Sequence, residues 1–146
     1  MSKKRLGIGF IGGGFITRFH IQSLIGVRDC DVVGVMSRTR ASAEESAKLA
    51  RTTEVGDANA YDTITDMVAD PRIDALWICS PNFTRIETFE EISEAVISGK
   101  GELIGIACEK PLGRNVAEAK KVLELTQKAG LLDGYLENQV FAPSVT

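Results

Sequence analysis

Histidine and cysteine are scarce in this 146-residue chain, which holds a single histidine, His20, and three cysteines, Cys30, Cys79 and Cys108. The cysteines lie far apart and form no CxxC pair, so no ligand set for structural zinc is assembled and no metal is expected. A sparse, odd number of cysteines suits a reducing cytoplasm better than a secreted disulfide scaffold. Charge of one sign is also lacking: 17 basic and 20 acidic residues leave a net −3. That balance gives no electrostatic reason to expect nucleic acid or an anionic membrane as a partner. Long apolar runs are missing too. Leu6 to Ile16 follows the basic Lys3-Lys4-Arg5 as a signal peptide would, but five of its eleven residues are glycine. No small-x-small cleavage site precedes Arg18, and so short a run does not span a bilayer as a helix. The run reads as a buried strand entering a turn, in a soluble, cytoplasmic protein. Internal repeats and low-complexity segments are likewise absent.

What is present is an alternation of short apolar runs with helical periodicity. Strands are expected at Leu6–Ile11, Asp31–Met36, near Ala58–Tyr61, at Ala75–Ser80, at Leu103–Cys108 and at Leu132–Leu136. Between them fall helices at Phe15–Leu24, from a Ser42/Glu45 capping box to about Ala50, around Ile64–Ala69, from Arg85 to Ser98, and from an Asn115/Glu118 cap to Gly130. Phe15, Ile16 and Phe19 occupy neighbouring turns of the first helix. Ile86, Phe89, Ile92, Val96 and Ile97 give the fourth helix one apolar face. Such alternation predicts an α/β fold, a doubly wound parallel sheet of the Rossmann type in the order 3-2-1-4-5-6. Residues 1–136 would form this domain. Residues 137–146, with no helix or strand of their own, would begin a second, truncated substrate domain.

Five of the fourteen glycines fall between Gly7 and Gly14. Gly7-Ile8-Gly9-Phe10-Ile11-Gly12 spells GxGxxG but lies inside the first strand. The frame Gly12-Gly13-Gly14-Phe15-Ile16-Thr17 falls where strand becomes helix, as dinucleotide binding requires. Gly12 would make the tight turn, and Gly14 would let the backbone approach a pyrophosphate at the helix N-terminus. Thr17 replaces the third glycine, so helix and strand should pack less closely. After the second strand an NAD site would carry an acid for the ribose hydroxyls. Here the chain reads Met36-Ser37-Arg38-Thr39-Arg40. A hydroxyl with guanidinium groups binds a 2′-phosphate, so NADP is preferred, with NAD as the other candidate.

The fourth and fifth strands run into Ser80-Pro81-Asn82 and Cys108-Glu109-Lys110-Pro111-Leu112. Ligands of open parallel sheets bind outside the carboxyl ends of the strands, so both segments border the crevice of the glycine turn. Extended neighbours point to opposite sides, so Glu109 and Lys110 should not pair and one of them faces the crevice. His20 reads as a packing or polar-edge residue, Trp77 as core, and Cys79 and Cys108 as buried thiols near each other.

Taken in order, Ile11-Gly12-Gly13-Gly14-Phe15-Ile16, Ser80-Pro81-Asn82 and Glu109-Lys110-Pro111-Leu112 resemble the glucose–fructose oxidoreductase and inositol dehydrogenase family (Gfo/Idh/MocA). The resemblance covers essentially the whole chain. It implies an NAD(P)-dependent oxidoreductase acting on a sugar, polyol or related hydroxy compound. It further implies a second, open-faced α+β domain that is absent here, and through which copies of the protein would associate. Lys110 matches the family lysine that touches nicotinamide ribose and substrate, which makes it the candidate catalytic residue. Gly12, Gly14, Phe15, Ile16, Ser37, Arg38, Ser80, Pro81, Asn82, Glu109, Lys110 and Asn138 are the candidate cofactor ligands. Two positions depart from the pattern: Arg85 stands where many members have histidine, and Val140 where many have arginine. Both bear on the substrate pocket more than on the cofactor site. A non-catalytic nucleotide-binding domain and an S-adenosylmethionine-dependent methyltransferase are the competing readings; the latter has no use for the Glu-Lys-Pro segment.

Overall fold

The computed structural model describes residues 5–144; Lys3 and Lys4 of the basic cluster lie outside them. Six strands, β1 (Leu6–Ile11), β2 (Cys30–Met36), β3 (Asn59–Tyr61), β4 (Ala75–Ile78), β5 (Gly105–Glu109) and β6 (Leu132–Leu136), form one sheet. Its order is β3-β2-β1-β4-β5-β6, and every pairing is parallel. This is the doubly wound order, with β1 and β4 starting the two halves.

Helices cover both faces. α1 (Phe15–Ser23) and α2 (Arg40–Thr52) lie on one side, where Phe10, Ile21, Val32, Val35, Ala43 and Ala47 are fully buried. α3 (Ile64–Val68), α4 (Arg85–Ile97) and α5 (Val116–Lys128) lie on the other, over a larger core that includes Ile11, Met67, Leu76, Ile78, Phe89 and Ile92. Burying such aliphatic side chains contributes about 1.5–3 kcal/mol each before entropy is charged against it. The glycines within β1 make room for the second layer: a Cβ on Gly9 would sit 2.8 Å from Met67 Sδ. No helix among the described residues is long and apolar enough to cross a membrane.

Several boundaries differ from expectation. α2 begins at Arg40 because Thr39, with extended backbone, is its N-cap and accepts from Ser42 N. The Ser42/Glu45 pattern therefore lies inside the helix. α1 ends at Ser23 and passes into a 3₁₀ turn at Leu24–Gly26. β4 stops at Ile78, and β5 is displaced to Gly105–Glu109, because its partners begin at Ala75 and end at Leu136. Glu109 thus belongs to the strand instead of following it. Ile97 of α4 is exposed and does not join the apolar face. The tail also has local structure: Asn138–Phe141 forms a 3₁₀ turn whose start Glu137 caps by accepting from Gln139 N.

Candidate functional site

Three strands converge on the glycine turn. Gly12 has φ of +104°, its amide donates to Met36 O at 2.8 Å, and a Cβ there would lie 2.8 Å from Ser80 N. Only glycine satisfies both the left-handed backbone and the close approach of the segment after β4. Gly14 is the N-cap of α1 with ordinary extended angles and no side-chain cap, and a Cβ on it would meet nothing within 4 Å. A helix N-terminus without a capping side chain, facing open space, is the arrangement that accepts a phosphate group.

The turn is tied from below. Thr17, fully buried, donates its hydroxyl to Gly12 O. Packing at this position is therefore replaced by a hydrogen bond worth about 0.5–1.5 kcal/mol, and is not simply loosened by loss of the third glycine. Ser42 Oγ and Ser46 Oγ both donate to Gly13 O, at 2.7 and 3.1 Å. These two serines of α2 carry structural work that the capping pattern concealed.

Beside the turn, at the carboxyl ends of β4, β5 and β6, lies a cleft of about 540 Å³ whose lining includes Ile16, His20, Trp77, Glu109, Lys110 and Asn138. It adjoins a smaller one of about 260 Å³ that shares Ile16, Glu109 and Lys110 and adds Ser80, Asn82 and Arg85. Six of the candidate cofactor ligands (Ile16, Ser80, Asn82, Glu109, Lys110 and Asn138) are thereby brought together from four segments. Gly12 and Gly14 form the neighbouring turn. Pro81 accepts from Thr84 N without lining either cleft, and Phe15 stands 72% exposed beside Gly14. Ser37 and Arg38 lie beyond both clefts, after β2. Arg40 is engaged elsewhere, with Glu44 and Asp62. Arg38 is exposed and makes no hydrogen bond or ion pair among the described residues.

Glu109 and Lys110 do not separate to opposite sides as extended neighbours would. β5 ends at Glu109, Lys110 enters a bend before a cis bond to Pro111, and both side chains line the same cleft. Lys110 is exposed and makes no hydrogen bond or ion pair among the described residues. The Glu109 carboxylate is instead joined to His20, with Nε2 2.5 Å from Oε1. His20 is therefore a polar residue of the cleft wall. Trp77 is half-buried and not simply core: its ring stacks on Phe10 at 5.2 Å and meets the His20 ring at 4.4 Å.

Arg85, only 2% exposed, donates to Ile78 O at 3.4 Å and to Glu109 O at 3.0 Å, while its Nε has no partner among the described residues. A buried guanidinium bound to carbonyls thus joins the carboxyl ends of β4 and β5. Burial pushes the Cys79 thiol up to about 12 and the Cys108 thiol to about 11. Both stay protonated at neutral pH. Cys108 is buried as expected, whereas Cys79 is half-buried and lines the smaller cleft. In the folded chain at pH 7, each is expected to react with an aromatic disulfide reagent about 100-fold more slowly than after unfolding. Stopped-flow absorbance with mass-spectrometric site assignment checks this, and burst labelling of Cys79 or Cys108 in the folded chain would contradict it.

Comparison with known proteins follows the same outline. A model of an oxidoreductase family with NAD-binding Rossmann fold matches residues 6–134. The chain belongs to the Gfo/Idh/MocA family. Within and around that family it is 28% identical over 125 residues to a myo-inositol 2-dehydrogenase of Thermotoga maritima, covering 86% of this chain and 34% of that protein. The crystal structure of GenD2 from gentamicin A biosynthesis, in complex with NAD, superposes with a TM-score of 0.78 at 22% identity, over 98% of this chain and 37% of that one. A biliverdin reductase of Synechocystis, in complex with biliverdin and NADP+, gives 0.71 at 18% identity, over 95% and 40%. At those identities the solved structures show the shared fold. The Gfo/Idh/MocA chain described here spans about a third of the length of the relatives it matches.

Proposed function

We propose that this domain binds NADP(H) in preference to NAD(H) and presents Lys110 to a sugar, polyol or related hydroxy compound undergoing reversible oxidation. The observation that carries the reading is Lys110 itself. It stands without a partner among the described residues in a cleft at the carboxyl end of β5, next to a glycine turn with open space above Gly14.

The residues present fit a dinucleotide. The α1 N-terminus and the turn at Gly12–Ile16 would hold the pyrophosphate, and Ser80, Pro81, Asn82, Glu109 and Asn138 would border the remainder of the cofactor. When bound, the nicotinamide supplies or accepts the hydride. Lys110 would hold or move the proton at the reacting oxygen, or stabilise charge there. Residues 1–136 are assigned to this domain and 137–146 to the start of a substrate domain, in keeping with a family match that ends at residue 134. A second domain would supply the other half of the substrate site, and the surface through which copies associate. A sparse, odd number of free thiols supports a cytoplasmic setting.

The preference for NADP(H) rests on Arg38, because Arg40 is already held by two carboxylates. A guanidinium–phosphate bond contributes roughly 1.5–3 kcal/mol. Arg38→Ala is therefore expected to weaken NADP(H) binding by roughly 10- to 100-fold while leaving NAD(H) nearly unchanged. Calorimetric titration with both cofactors tests the reading. Tighter binding of NAD(H) by the unaltered protein would overturn the preference, and retention of S-adenosylmethionine in place of either cofactor would overturn the assignment.

A further inference from the structure

The charge nearest Glu109 along the chain is Lys110, yet the folded protein joins its carboxylate to His20, 89 positions away. The two side chains are 19% and 14% exposed, deep enough for the contact to escape most solvent screening. His20 is held on its own account, because its ring lies against Trp77, which is stacked on Phe10. The backbone of Glu109 is held separately, through its carbonyl, by Arg85. Glu109 is thus fixed at both ends, while the side chain of Lys110 beside it has no partner among the described residues. The other acid of the cleft, Glu137, accepts from Gln139 N at 3.1 Å.

We propose that His20 is a positioning residue: by holding the Glu109 carboxylate it keeps the Lys110 ammonium unpaired and open to a reacting oxygen. The inference rests on the reading of Lys110 as the residue that meets substrate. His20 and Lys110 are the two cation-forming side chains that line the larger cleft, and the Arg85 guanidinium of the smaller one is turned to backbone carbonyls. With His20 gone, the cation available to the Glu109 carboxylate is Lys110, the next residue in the chain and a lining residue of the same cleft, on a flexible four-carbon stem. The pair so formed would withdraw the ammonium from the cleft.

The test uses the chain without cofactor. His20→Phe keeps a ring over Trp77 and removes the N–H. At fixed pH and salt, Lys110 acylation by an N-hydroxysuccinimide ester is followed by peptide mass spectrometry. The rate is expected to fall by about twofold or more, the scale of a partly exposed ion pair, and adding Glu109→Gln should recover at least half of the loss. A smaller fall, or recovery of less than half in the double variant, overturns the proposal. His20→Leu repeats the measurement if the phenyl ring is not accommodated. Turnover of full-length protein carrying Lys110→Ala separates the two levels. Unchanged turnover there removes Lys110 from the chemistry, while the acylation rates still decide what His20 does.

Discussion

Full-length protein carrying Lys110→Ala is expected to lose roughly 10²–10⁴-fold in kcat, the range that general acid–base groups contribute. Cofactor affinity should change far less, because the glycine turn and the α1 N-terminus are untouched by the substitution. Lys110→Arg should not restore turnover. A guanidinium stays protonated throughout the neutral range and presents a planar fork where an ammonium presents a point charge. Steady-state kinetics with a sugar and polyol panel, beside cofactor Kd for each variant, decide the matter. Near-normal kcat in the alanine variant would make Lys110 an ordinary solvated charge.

The two glycines of the turn should respond in opposite ways to the same added methyl group. Gly12→Ala places an L-residue at a φ of +104° and a Cβ 2.8 Å from the backbone nitrogen of Ser80. Strain of about 1–3 kcal/mol is expected from the backbone alone, and the segment after β4 must also shift. The thermal midpoint should fall by roughly 5–10 °C, since 1 kcal/mol moves a domain of this size by about 2–8 °C. Gly14→Ala meets no atom within 4 Å and keeps allowed angles. Its stability should stay within about 0.5 kcal/mol of the unaltered chain. Its cofactor affinity should nonetheless drop by about tenfold or more, because the methyl group occupies the space a pyrophosphate would enter. Differential scanning calorimetry and cofactor titration on the two variants separate folding from binding. Unaltered cofactor affinity in Gly14→Ala would place the dinucleotide elsewhere.

The sheet was legible because short apolar runs, each bounded by turn residues, leave a parallel arrangement as the natural way to bury both faces. The strand-to-helix glycine frame was equally clear, since only that frame meets the mechanical need for a turn. Contacts between distant segments were not. His20 reads only as a packing or polar-edge residue because its partner is the last residue of β5, and nothing local to either one announces the other. One local signal was available: Ile16, Phe19 and His20 follow i, i+3, i+4 spacing, so a cleft-facing Ile16 carries His20 with it. Ser42 misled in the opposite direction. Its spacing to Glu45 fits a capping box, but Thr39 already occupies the extended N-cap position, which frees Ser42 to reach Gly13. Arg85 reads as the first residue of the fourth helix and as a departure from the family histidine, with no sign that it is buried. Its burial depends on two strand-end carbonyls, which no periodicity reveals.

The bonds from Ser42 and Ser46 to Gly13 have a practical bearing on redesign. The loop that carries Ser37 and Arg38 leads directly into α2, and α2 is stitched to the turn beneath the pyrophosphate position. The two proposed halves of cofactor recognition are therefore not separate modules. A loop grafted from a relative to change coenzyme usage is expected to alter the entry angle of α2, and with it the seating of Gly13. Retaining Thr39, Ser42 and Ser46 while exchanging only positions 37 and 38 is expected to confine the change to the proposed ribose end and leave Gly13 at its original height.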